Sequence, residues 1–446
     1  MLKKNQTLTV VIESMGCNME GVAKLNGFVI FVPFTIIGEK VEIKILKVQK
    51  DFAYGKLLKV IQASKYRVQP LCPYFSKCGG CDCQHIDYKY ACKLKADMVK
   101  NTLEHICKCS FNVNETVASI NNYFYRNKVA FPVSPTTRTI GMFAPNSHRI
   151  IEIENCFIQE KWVKNLIEVI NDYIKQSNIE IYDEQTHLGL LKYVVARSNG
   201  KDVLVTMVVN GNDIKDKNLL INQLEKKFKD FGVNLNINTQ KNNVILSEKF
   251  KHIYGISDLS FKEFGIKYTV NNASFLQVNN YIKNEIYSAV MKEISNSENV
   301  IDGYSGAGLM TAMLSTRAKH VYGVEVVKQA VDSANELIKN NNIKNVTNIC
   351  GKCEVEIPKL ISKLTNATIV LDPPRKGCDL KVIEAISVAK PNKIIYVSCA
   401  PNTLARDIKN LMELSGGVYK VKNITPFDMF PQTKHIETMC VLERID

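Results

Sequence analysis

From Asn271 onward the sequence repeats one grammar. Short apolar runs (Asn299-Val-Ile-Asp302, His320 to Glu325, Ala367 to Asp372, Lys393 to Ser398) are separated by stretches long enough for a helix. Apolar strands joined by helices predict a doubly wound, mainly parallel sheet, because helices must cover both of its faces. Residues 1 to 62 obey a different rule. Runs such as Leu8-Thr-Val-Val-Ile12, Phe28-Val-Ile-Phe-Val32 and Lys40-Val-Glu-Ile-Lys-Ile45 are punctuated by Gly16, Gly21, Asn26-Gly27 and Pro33, which predicts a small all-β barrel. Between Pro70 and about Gly265 the pattern is mixed: a cysteine-rich loop, an amphipathic helix near Tyr88 to His105, then strands around Val129-Ala-Phe131, Leu190 to Arg197 and Val203 to Val209. The chain has 446 residues, too many for one core. The expected division is therefore a barrel over 1–62, a mixed α+β region over 63–270 and an α/β domain over 271–446. The helix near Tyr88 can pack on that last domain despite its position.

Charge narrows the partners. Lys and Arg outnumber Asp and Glu by 58 to 44, a net charge of +14 spread along the whole chain. This suits a polyanion, since phosphate contacts release counterions and dominate nucleic-acid affinity. The start, Met1-Leu-Lys-Lys-Asn-Gln, lacks an apolar secretory core, and the greasiest stretch, Gly27 to Gly38, contains Pro33 and is too short to span a bilayer. The expectation is a cytoplasmic protein with no membrane association and no obligate protein partner. Fourteen cysteines in such a chain point to reduced thiols, metal ligands or catalysis.

Three elements carry chemistry. The first is Asp302-Gly-Tyr-Ser-Gly-Ala-Gly308, entered from a strand and leaving into a helix, with Glu325 ending the next strand. Glycines such as Gly306 let a ligand approach the backbone, and the later acid can hold a ribose diol, as for a dinucleotide or a methyl donor. The second, Leu371-Asp372-Pro373-Pro374-Arg375, favours the methyl donor, because a rigid polar turn seats a target base and a nicotinamide enzyme has no use for it. The third is Val397-Ser-Cys399-Ala-Pro401, at the end of a strand, where open α/β sheets hold ligands. Carbon 5 of uracil becomes nucleophilic once a thiolate adds to carbon 6, and a general base must then remove the carbon 5 proton. Glu437, in His435-Ile-Glu-Thr438, is the candidate base.

A fourth pattern is Cys72-x5-Cys78-Gly-Gly-Cys81 with a late Cys156. Four thiolates bind tetrahedral zinc or an iron-sulfur cluster, and spacing leaves both open. Cys83, Cys92, Cys107 and Cys109 form no competing quartet, and Cys350-Gly-Lys-Cys353 is read as packing.

Taken in order, several motifs together resemble the RNA uridine-5-methyltransferase family over essentially the whole chain. They are Phe275-Leu-Gln277-Val-Asn279, the loop through Tyr304, Asp-Pro-Pro-Arg375, Ser-Cys399-Ala-Pro, Thr403-Leu-Ala-Arg-Asp407 and His435-Ile-Glu437-Thr. Glu20-Gly-Val-Ala, Val32-Pro33 and Gly38-Glu-Lys-Val41 resemble the TRAM domain, an OB-like RNA-binding barrel. The resemblance implies a Rossmann-like methyltransferase domain in which Gln277, Tyr304, Gly306, Glu325 and Asp372 bind S-adenosylmethionine. It implies Cys399 as nucleophile and Glu437 as base. Tyr125-Arg126-Asn-Lys128 resembles the family's substrate-contact segment. Barrel and cysteine quartet together resemble the branch acting on 23S ribosomal RNA, which implies a 4Fe-4S cluster rather than zinc on Cys72, Cys78, Cys81 and Cys156. Transfer RNA is the alternative substrate, and a non-catalytic RNA-binding protein the alternative class. One departure stands out: Ala400 follows the nucleophile where the family usually carries Asn or Asp.

Overall fold

A computed structural model describes residues 2–295, 298–364 and 367–445. The chain forms two compact units: residues 1–70, 82–120 and 281–446 make one, residues 71–81 and 121–280 the other. These units cut the chain differently from the three sequence segments. The region 82–120 belongs with the barrel and the C-terminal sheet, and 271–280 with the central strands.

In the first unit, residues 7–62 fold into a six-stranded sheet whose core is built from Val10, Ile12, Ala23, Ile30, Val32, Val41, Ile43, Ile45 and Ala53. Asn26 and Gly27 both take positive φ (50° and 82°), which a two-residue hairpin turn requires and which this dipeptide tolerates well. Glu39 ties the turn at Ile36 to the segment that follows the sheet, Ser64 to Arg67. Burial pushes its carboxyl up, but Arg67, 2.6 Å away, and the backbone N–H groups of Ile36 and Ser64 bring it below the usual range.

The C-terminal sheet has seven strands: β1 (Asn299–Gly303), β2 (His320–Glu325), β3 (Val346–Cys350), β4 (Ala367–Leu371), β5 (Lys393–Ser398), β6 (Tyr419–Phe427) and β7 (Glu437–Arg444). Their order is β3-β2-β1-β4-β5-β7-β6, the first five parallel and β7 antiparallel to both its neighbours. Four of the five parallel strands, β1, β2, β4 and β5, are the apolar runs of the sequence, and β3 adds a fifth at the edge. Helix α1 (Tyr88–Cys107) packs on α2 (Pro401–Leu414). It buries Ala91, Leu94, Lys95, Val99 and Leu103 at three- and four-residue spacing, the stripe of an amphipathic helix. The Asp87 carboxylate caps its start by accepting from Tyr90 N–H at 3.0 Å.

The second unit is mixed. A five-stranded sheet (128–132, 191–198, 203–209, 231–237, 250–255) is covered by helices Trp162–Ser177 and Lys217–Glu225. Among the described residues no helix is long and apolar enough to cross a membrane.

Ala400 occupies the N-cap of α2, where no side chain satisfies the first N–H groups. The Ser398 hydroxyl accepts from Ala400 N–H at 3.1 Å, and Pro401 supplies a first turn with one N–H fewer to satisfy. Restoring a capping side chain with Ala400→Asn should stabilise the protein by about 1 kcal/mol, read as a higher midpoint in thermal unfolding.

Candidate active site

Because β1, β2, β4 and β5 run parallel, their C-terminal ends lie at one edge of the sheet. Tyr304, Glu325, Asp372 and Cys399 stand at those four ends. β7 runs the other way, so its first residue, Glu437, reaches the same edge. The ladder between β5 and β7 ends on the pair Ser398 and Thr438. One step further, the same register sets Cys399 opposite Glu437. On its other side Glu437 pairs with Phe427 of β6.

The turn after β1 is left-handed at Tyr304 (φ 65°) and Gly306 (φ 55°). A side chain built at 306 would meet no atom within 4 Å, so that face of the turn is open. Glu325 is held by two N–H donors, Gly306 at 3.0 Å and Val327 at 2.9 Å. A carboxylate accepts about four hydrogen bonds, so this one can still receive a diol. Asp302, 2% exposed, accepts from the Thr311 hydroxyl at 2.6 Å. Its burial, reinforced by the charges of Asp372 and Glu325, pushes the carboxyl up to about 7. Asp372 has an open face but sits deep among protein atoms, and that desolvation takes it to about 7 as well. An open turn ringed by carboxylates fits a ligand that brings a positive charge and ribose hydroxyls, as S-adenosylmethionine does.

Cys399 is half-buried and Glu437 only 4% exposed. Desolvation dominates both. It raises the Cys399 thiol, the Glu437 and Asp372 charges raise it further, and Arg375 opposes them. It raises Glu437 well above the carboxylate range, with Asp372 adding to the shift and Arg375 again opposing. Cys399, Glu437, Asp372 and Arg375 therefore share one electrostatic neighbourhood. Arg375 sits on a loop anchored to α2: Thr403 Oγ1 donates to its carbonyl at 3.2 Å, and Asp407 accepts from Cys378 N–H at 2.9 Å and Tyr396 Oη at 2.6 Å. The Thr403 to Asp407 motif is thus a brace for the loop that carries Arg375. A cavity of about 160 Å³ opens beside Cys399, lined by Asn402, by Thr102 of α1, by Lys434 and His435, and by Asn18 from the barrel.

Gln277 lies in the second unit, half-buried, beside Phe275, which is 82% exposed. Its segment is clamped from below. Lys128 Nζ donates to Asn272 O at 2.8 Å, Arg197 Nη2 to Ser274 O at 3.1 Å and Asn127 N–H to Val278 O at 2.9 Å. Burial, together with the charges of Arg197 and Arg126, pushes the Lys128 ammonium down to about 8. Arg197 had no motif to betray it.

Cys72, Cys78, Cys81 and Cys156 all belong to the second unit. Burial raises Cys156 to about 11, with Cys78 and Cys72 contributing, while N–H groups of Ile158 and Gln159 oppose the rise. Cys78 is raised by burial and by Cys72, and its sulfur accepts from Gly80 N–H at 3.3 Å. Among the described residues no three His, Cys, Asp or Glu side chains converge on one point suited to a single metal ion. Nothing in the sequence signals Asn18 or the buried pair Lys95 and Asp428, since none has a spacing that points to a role.

The chain resembles known proteins over nearly its whole length. The family described as tRNA (Uracil-5-)-methyltransferase matches residues 87–445, and the TRAM domain matches residues 2–58. An uncharacterized RNA methyltransferase of Clostridium acetobutylicum is 39% identical over 456 residues, covering 100% of this chain and 98% of the relative. One from Caldanaerobacter subterraneus is 36% identical over 452 residues, covering 100% and 99%. A crystal structure of the Pyrococcus abyssi tRNA (uracil-54, C5)-methyltransferase with S-adenosyl-L-homocysteine superposes with a TM-score of 0.79 at 26% identity, over 97% of this chain and 99% of that one. Full-length likeness to a transfer RNA enzyme means that barrel-bearing architecture does not by itself point to ribosomal RNA. With the family model matching residues 87–445 and a relative 39% identical over the whole chain, the chain belongs to the RNA (uracil-5-)-methyltransferase family.

Proposed function

We propose that this protein methylates carbon 5 of a uridine in RNA through a covalent bond between Cys399 and carbon 6, with S-adenosylmethionine as methyl donor. The observation that carries the reading is the register that sets Cys399 opposite Glu437 at the edge where Tyr304, Gly306, Glu325 and Asp372 surround an open turn. The family resemblance adds Gln277 as a donor-binding residue. The donor supplies an electrophilic methyl group when bound.

Cys399 Sγ adds to carbon 6, and the electron pair of the carbon 5–carbon 6 double bond moves toward carbon 5 and the neighbouring carbonyl. Carbon 5 then takes the methyl group as its bond to the donor sulfur breaks, the electron pair staying on that sulfur and S-adenosylhomocysteine leaving. The Glu437 carboxylate removes the remaining carbon 5 proton, the double bond re-forms, and the thiolate leaves carbon 6. Arg375 favours both anions that the scheme needs, the thiolate and the carboxylate. The target base must leave its stack to reach this edge, and the cavity beside Cys399 offers amide, hydroxyl and ammonium groups for the strand around it. Arg126 and Lys128 would hold phosphates from the second unit.

Cys399→Ala should abolish turnover with donor binding intact; retention of a tenth of the wild-type rate removes Cys399 from the mechanism. Glu437→Gln should accumulate a protein-RNA adduct that survives denaturation. Both functional groups act deprotonated and both are shifted upward, so kcat/KM should rise with pH through neutrality, and Arg375→Ala should move the profile to higher pH.

For the RNA we propose 23S ribosomal RNA, on the resemblance of barrel plus cysteine quartet. Transfer RNA is the second reading, favoured by the Pyrococcus abyssi neighbour. Mapping 5-methyluridine in both RNAs from cells with and without the gene separates them: loss confined to transfer RNA reverses the assignment.

Cys72, Cys78, Cys81 and Cys156 would hold a 4Fe-4S cluster. Four cysteine thiolates suffice to ligate such a cluster, one on each iron, and N–H donors to Cys78 and Cys156 suit sulfurs that would carry negative charge. When bound, the cluster supplies a rigid cross-link between the 72–81 loop and the segment around 156. Protein purified without oxygen should be brown and contain iron and sulfide, and Cys78→Ser should lose both. Stoichiometric zinc without iron would reverse the choice.

A further inference from the structure

We infer that Lys95 is a positioning residue for the elimination step, acting through the β6–β7 hairpin that presents Glu437. The inference rests on the reading of Glu437 as base. Lys95 lies on α1, far from the hairpin in sequence, and is buried to 1% exposure. An ammonium group has three donors, and here all three are spent on one loop. Nζ donates to Asp428 Oδ1 at 2.6 Å, to His435 O at 2.9 Å and to Phe430 O at 3.3 Å.

The positions matter. The last pair of the hairpin is Phe427 with Glu437. Asp428 is one residue beyond it on one arm, and His435 two residues before it on the other. The Lys95 ammonium thus bridges both arms immediately past the pair that contains Glu437. Asp428 is itself fixed by its N–H, which donates to Val117 O at 2.9 Å. The arm carrying His435 and Glu437 is tied separately: Gln432 O accepts from Asp82 and Cys83 N–H at 2.9 and 3.0 Å, Lys434 N–H donates to Asp82 at 3.1 Å, and His435 N–H to Thr433 Oγ1 at 3.2 Å, so the Lys95 ammonium is what joins the two arms. A buried cation held only for stability is poorly explained, since an apolar side chain of similar length usually does as well. A cation is needed where two carbonyls and a carboxylate from a loop must be gathered at one point.

Loss of this bridge should leave addition and methyl transfer largely intact, because Cys399 and the donor turn are held by other elements. Removal of the carbon 5 proton should slow, because it depends on where Glu437 sits. Lys95→Met is therefore expected to accumulate the same denaturation-resistant adduct as Glu437→Gln, with kcat lowered about tenfold or more and S-adenosylhomocysteine affinity unchanged. Leu103→Ala, a core truncation on the same helix, serves as the control for lost stability: it should lower the melting temperature without accumulating adduct. Should Lys95→Met fold poorly with Asp428 left uncompensated, Lys95→Met combined with Asp428→Leu removes both charges and still lacks the bridge, so adduct is again expected. Adduct in Glu437→Gln but in neither Lys95 variant would overturn the role of Lys95 alone. No adduct in Glu437→Gln would overturn the base assignment, and the inference with it.

Discussion

The site depends on one pairing register. β7 is antiparallel between β5 and β6, and its alignment with β5 decides which residue faces Cys399. Side chains alternate along a strand, so a slip of one residue would exchange Glu437 for Ile436 or Thr438 and turn the carboxylate to the opposite face. Burial fixes the alignment. Both faces of β7 are covered, and Met439, Cys440, Val441 and Leu442 are nearly inaccessible, so a slipped strand would lose apolar contacts along its whole length.

Around that register the structure gathers acidic groups that their surroundings make hard to ionise. Asp302, Asp372 and Glu437 are all shifted upward, and each feels another acid or the cost of desolvation. Such a group of strained carboxylates is unfavourable for folding and favourable for a ligand bearing positive charge, a common mark of functional sites. Arg375 is the counterweight, and its loop is tied down by Thr403, Arg406 and Asp407 of α2. The same helix is capped at Ala400, next to Cys399. Loop, helix and thiol therefore form one braced assembly.

The barrel is part of that assembly. Asn18 reaches the wall of the cavity beside Cys399, within the same compact unit. The barrel thus contributes a polar side chain to the surroundings of Cys399. The second unit contributes a different pattern, cations clamping the segment that bears Gln277 and four thiols on two distant stretches.

The sequence by itself determined the local grammar: the hairpin at Asn26-Gly27, the parallel strands of the C-terminal sheet, the amphipathic stripe of α1, and the motifs at Asp302, Asp372 and Cys399. These depend on residues close in the chain, whose periodicity and turn chemistry are legible one segment at a time. It also nominated Glu437, through motif order. Only the tertiary structure decided that α1 lies with the C-terminal sheet, that residues 271–280 belong with the central strands, and that Cys399 meets Glu437 through an antiparallel register. Lys95 and Asp428 are 333 residues apart, and Arg197 reaches Ser274 across 77. Pairings at such separations leave no periodic trace. They arise because a buried charge must find its partners wherever the fold brings them.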